Sequence, residues 1–184
     1  MKQTVNIRKQ KSMIYKVVIS AMLCAIGLII PIMSPIKFVL EPASYTLASH
    51  VPIFIAMFLS PSCGIAVALV TSVGFLIGPF TPIIALRAAT HVIFVTVGAL
   101  LIKKFPNILH SIVKTSLFAL GLSIIHAVGE MVVVAAFLAP DQTDIIRLVF
   151  GLVGVGTVIH SMVDFYISLI IWKTLGKHLG GNSI

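Results

Sequence analysis

Long apolar runs, separated by short polar or Pro- and Gly-rich breaks, set the pattern of this chain. A membrane-crossing helix needs about 20 predominantly apolar residues. The runs predict six crossings, at about 17–35, 46–59, 62–77, 82–102, 111–138 and 145–172, all within one membrane domain over 1–184. Pro31 and Pro35 mark the end of the first. The connection at 34–48 holds Lys37, Glu41, Pro42 and Tyr45 and is long enough to cover a site. The apolar run from His50 to Leu59 is short for a crossing, so the second helix is predicted to begin within 41–48. Ser60-Pro-Ser-Cys-Gly64 reads as a tight hairpin turn and Gly78-Pro-Phe-Thr-Pro82 as the next turn. An acidic turn at 139–144 precedes the last run, with Asp144 placed to cap its helix.

Composition fixes the class. Of the 184 residues, 59% are hydrophobic and 10% charged, and the mean hydropathy is +1.15. A soluble domain of this size needs more polar surface than that, so the chain reads as an all-α integral membrane protein. The net charge of +8 is distributed by topology. Residues 1–16 form a basic lead-in with Lys2, Arg8, Lys9, Lys11 and Lys16, and Lys103, Lys104, Lys114, Lys173 and Lys177 fall on the same side. Lys37, Arg87 and Arg147 fall on the other. The positive-inside rule then places both termini in the cytoplasm, and no nucleic-acid partner is expected. No cleavable signal peptide is expected, because the first apolar run is too long.

Several chemistries find no support. Cys24 in mid-helix and Cys63 in the turn at 60–64 suggest neither a disulfide framework nor a metal site. There is no P-loop, no H-E-x-x-H zinc spacing and no G-x-S-x-G nucleophile elbow. Gly151, Gly154 and Gly156 lie in an apolar run, where glycine serves helix packing rather than dinucleotide binding. No cofactor and no metal are expected.

What stands out is polarity inside the apolar runs. Arg87 is the only Lys, Arg, Asp or Glu between Pro42 and Ile102. A charge at the centre of a membrane helix costs about 2.5–3.5 kcal/mol on insertion scales, so it faces a partner, a cavity or a ligand unless it snorkels from a helix end. His91 follows four residues later on the same face of the predicted helix. His126 and Glu130 share a face of the fifth helix; His50 starts the second and Arg147 begins the sixth. At 1.5 Å rise per residue these side chains reach one depth in the outer half of a bundle, beneath Tyr45 in the first connection. An Arg87–Glu130 or Arg147–Glu130 bridge is expected in that layer. The surplus of Arg and His over a single Glu suits a small ligand bearing a carboxylate, which a guanidinium grips with two parallel hydrogen bonds. His160 and Asp164 sit deeper and read as a structural pair on one turn.

Six short crossings, cytoplasmic termini, a basic start and Ala21-x-x-x-Ala25 in the first helix resemble the S component of an energy-coupling factor (ECF) vitamin transporter. The segments around Tyr45–His50 and Leu86-Arg-Ala-Ala-Thr-His91 are most similar to the niacin-type members. The resemblance implies an ECF S-component-like bundle in the bacterial plasma membrane that is not itself an enzyme. It implies docking of Ala21 and Ala25 on a transmembrane coupling subunit, with two cytoplasmic ATPase subunits as further partners. It also implies a vitamin bound from outside under the first loop and released inward by toppling. Nicotinate is the favoured ligand, with Arg87, His91, His126, Glu130, His50, Arg147 and Tyr45 as substrate-binding residues. Pantothenate or a pyridoxine-like vitamin, an intramembrane acid–base enzyme and a stand-alone secondary transporter remain open alternatives.

Overall fold

The computed structural model describes residues 2–40, 43–137 and 146–178. The acidic turn with Asp141 and Asp144, and Glu41 and Pro42 of the first connection, lie outside them. Helix α1 (Lys2–Met33) begins within the basic lead-in, not at 17, and continues through Pro31. Its last turn is closed by Ser34 N–H donating to the Ile30 carbonyl at 2.9 Å. Two strands follow, β1 (Lys37–Leu40) and β2 (Ala43–Thr46), paired antiparallel with Phe38 opposite Tyr45. The first connection is therefore a small β-hairpin attached to an otherwise helical chain. Beyond it come α2 (Val51–Leu59), α3 (Pro61–Ile77), α4 (Pro82–Ala89) and α5 (His91–Lys104). A short 3-10 turn leads to α6 (Ile112–Phe137), and a π-helical segment, Arg147–Val155, runs into α7 (Gly156–His178).

Four stretches among the described residues are long and apolar enough to cross a membrane: Ser12–Met33, Pro82–Lys104, Ile112–Phe137 and Arg147–Leu175. The protein is thus a multi-pass, all-α membrane protein. α3 is a shorter apolar helix. α2 departs most from expectation. It starts at Val51 rather than at 46, because residues 43–46 are committed to the hairpin and 47–50 to a turn. Residues Val51–Phe58 are all buried. A helix that is apolar all round is a core element, and α2 sits against α1, α3, α5 and α7. Phe54, Phe94 and Phe165 interlock around it, with ring centroids 5.4 Å apart for both Phe54 pairs.

Two local features aim the polar residues. Cys63, expected in a turn, lies instead in the first turn of α3, where its N–H donates to the Ser60 hydroxyl that caps the helix at 3.2 Å. The run 82–104 is not one regular helix. It is interrupted at Thr90, whose N–H and hydroxyl both bond the Arg87 carbonyl, at 3.0 and 2.7 Å. α6 crosses close to this break: a Cβ on Gly129 would lie 3.0 Å from that of Thr90. Arg87 and His91 thus belong to successive helices rather than to one continuous face.

Candidate functional site

Beneath the hairpin, α4, α5, α6 and α7 bring their polar residues together. Arg87 is 3% exposed, so it does not snorkel to a helix end. Its Nη2 donates to Glu130 Oε2 at 2.7 Å, and Thr157 Oγ1 donates to the same oxygen at 2.6 Å. The bridge expected between Arg87 and Glu130 is present. The other carboxylate oxygen, Glu130 Oε1, faces two imidazoles, His126 Nε2 at 3.4 Å and His91 Nε2 at 3.5 Å. These separations are long for hydrogen bonds.

Four histidine rings form one cluster. His50 lies 4.8 Å from His91, 4.7 Å from His126 and 4.9 Å from His160, centroid to centroid, and His91 lies 4.6 Å from His126. Phe94 floors the cluster, 4.6 Å from the His126 ring. Tyr45 roofs it, 5.4 Å from His160. The tyrosine is anchored from above: its hydroxyl donates to the Leu152 carbonyl of the π-helical segment at 2.6 Å. The ring lies so close to Gly156 that a Cβ there would come within 2.5 Å of the phenol oxygen.

Asp164 holds the edge of the site. It accepts from the Ala48 and His50 backbone N–H groups at 2.8 and 2.9 Å, and His50 Nδ1 lies 3.2 Å away. Ala48 has φ of 66°, a left-handed conformation that costs a non-glycine residue about 1–3 kcal/mol. The two bonds to the Asp164 carboxylate hold the turn in that shape.

A small cavity of about 40 Å³ opens between hairpin and helices, with Tyr45, His50, Arg87, His91, Glu130 and His160 in its wall. His126, fully buried, stands behind it. The structure therefore gathers six of the seven side chains selected from sequence. Arg147 is the exception: it is exposed at the start of the π-helical segment and is not among the residues lining the cavity. With it goes the surplus of positive charge. Among the described residues Arg87 is the one buried arginine, against two buried carboxylates, Glu130 and Asp164. His160, read as deep and structural, contacts Ser49 Oγ at 3.2 Å and lines the cavity. Thr157 was missed altogether. Its only signal was a hydroxyl in a Gly- and Val-rich run.

A mixed-charge cavity inside a multi-pass helical bundle, roofed by a hairpin, marks a membrane protein with a polar site shielded from lipid. No family model matches the chain, and no solved structure gives a significant match. Over 181 residues it is 40% identical to the niacin transporter NiaX of Lactococcus lactis subsp. cremoris (strain MG1363), covering 96% of this chain and 81% of that protein. The chain belongs to the NiaX family of membrane transporters, the niacin type that the segments around His50 and Arg87 resemble.

Proposed function

We propose that this protein is the substrate-binding S component of an ECF-type importer in the bacterial plasma membrane, and that its vitamin is nicotinate. The observation that carries the substrate is Arg87, a guanidinium buried in the cavity wall and already holding a carboxylate, that of Glu130. A nicotinate carboxylate takes over that guanidinium, and Thr157 and the imidazoles keep Glu130 satisfied. The pyridine ring lies among His50, His91, His160 and Tyr45. A cavity of about 40 Å³ is close to the room for a few waters, so binding displaces the hairpin or the Tyr45 ring.

Six crossings with cytoplasmic termini complete the reading. α2, together with the extended segment before it, serves as the second. Ala21 and Ala25 are exposed on α1, whose apolar face is largely uncovered by the rest of the chain. This supports docking on a transmembrane coupling subunit powered by two ATPase subunits, with release by toppling. Ala21→Trp or Ala25→Trp should leave vitamin binding intact and prevent co-purification with the coupling subunit. Co-purification that survives both changes removes α1 as the docking face.

The substrate is tested by calorimetric titration of the detergent-purified protein with nicotinate, nicotinamide and pantothenate. Tight nicotinate and weaker nicotinamide are expected. Pantothenate binding alone changes the vitamin and keeps the family. The excess of carboxylates over arginine favours an amine-bearing, pyridoxine-like vitamin as the second reading, and binding of that vitamin in place of nicotinate would establish it.

A further inference from the structure

We propose that His50, His91 and His126 form a three-imidazole site for a divalent transition-metal ion of the zinc class. One ligand nitrogen from each ring lies within 4.8 Å of the others. The nitrogens of a tetrahedral zinc site stand about 3.3 Å apart, given Zn–N bonds near 2.0–2.1 Å, so side-chain rotation of about an ångström closes the set. All three rings are buried, with His126 at 1% exposure, His91 at 5% and His50 at 8%. Neither ring nitrogen of His91 or of His126 has a hydrogen-bond partner among the described residues. Buried polar atoms without partners are costly, and two imidazoles in that condition, facing a third, call for a shared ligand.

The surroundings fit an ion better than they fit four independent rings. A metal-binding histidine commonly gives its other ring nitrogen to a carboxylate, which fixes its tautomer. His50 does this: Nδ1 faces Asp164 Oδ2 at 3.2 Å, which leaves Nε2 for the cluster. Glu130 divides its work in a similar way. Oε2 takes Arg87 and Thr157, and Oε1 is left facing His91 and His126 as an oxygen donor for a fourth position. With the imidazoles neutral, the two buried carboxylates among the described residues exceed Arg87 by one negative charge, so added positive charge is favoured there. Three imidazole donors suit zinc, copper or nickel rather than calcium or magnesium, which take oxygen ligands. The three histidines come from the turn before α2, the start of α5 and the middle of α6. Their sequence spacing therefore carries no zinc motif.

The site stands on its own geometry, and its test uses no vitamin, so failure of the nicotinate reading leaves it untouched. The full chain, carrying a tag without histidines, is purified in detergent with chelator and dialysed against micromolar Zn²⁺; bound metal is counted by mass spectrometry. About one ion per chain is expected. His91→Ala and His126→Ala should each weaken binding at least about tenfold, whereas His110→Ala, outside the cluster, should retain it. Less than a tenth of an ion on the wild-type protein, or unchanged binding in both cluster variants, overturns the proposal. If the variants do not fold, Co²⁺ on the wild-type protein decides. Intense visible bands of a tetrahedral nitrogen site support it, and a weak octahedral spectrum refutes it.

Discussion

Two carboxylates lie buried among the described residues, each four residues after a histidine: Glu130 after His126 on α6, and Asp164 after His160 on α7. From sequence the two pairs look alike. Their partners differ. Asp164 is held by backbone N–H groups of a turn in a strained conformation, and backbone donors cannot swing away. Glu130 is held by side chains alone among the described contacts: Arg87, Thr157 and two imidazoles at longer range. Side chains can be handed to a ligand. The same residue spacing thus supports a fixed brace in one helix and an exchangeable contact in the next. What separates them is whether the donors belong to the main chain.

The largest expected effect tests the brace. Asp164→Ala leaves two main-chain donors and His50 Nδ1 without their acceptor inside the protein. Removing one partner of a buried charged contact costs about 3–5 kcal/mol, so a large drop in melting temperature, with loss of monodisperse protein, is expected. Arg87→Ala comes next and should separate stability from binding. His91 and His126 stand ready to partner Glu130, so melting should fall less than for Asp164→Ala. Nicotinate affinity should fall at least about 100-fold, or roughly 3 kcal/mol. Calorimetry and a thermal melt on both variants check this, and a larger loss of stability from Arg87→Ala than from Asp164→Ala would break the comparison. Thr157→Val should be the mildest. It removes one hydrogen bond to a carboxylate that keeps Arg87, for about 1.5–3 kcal/mol at most, with a small shift in melting and a measurable change in affinity. No change in affinity would place Thr157 outside the exchange.

The sequence was most informative where chemistry contradicted its surroundings. Arg87 and Glu130 are charges inside apolar runs, and their meeting followed from depth alone, because helical rise converts position into height. Rotation about the helix axis is not fixed in that way. Arg147 stands at a suitable height and points out of the site. His160 does lie 3.4 Å from Asp164 on its own turn, but Asp164 also takes the backbone N–H groups of Ala48 and His50, more than 100 positions away in the chain. Such long-range pairing leaves no local trace. The hairpin at Lys37–Thr46 and the shortness of α2 were hidden for another reason. An apolar run has the same composition whether lipid or protein surrounds it, so the run ending at Leu59 did not reveal that only nine residues are helical.

That short helix has a consequence for how the protein is made. Nine residues give about 14 Å of helix, against a hydrocarbon layer of about 30 Å. Every residue from Val51 to Phe58 is buried by neighbours that include α5 and α7, which the ribosome delivers later. α2 is therefore a poor unit for insertion by itself. Insertion together with α3 is the expected route, with its enclosure completed once α5 and α7 are in place.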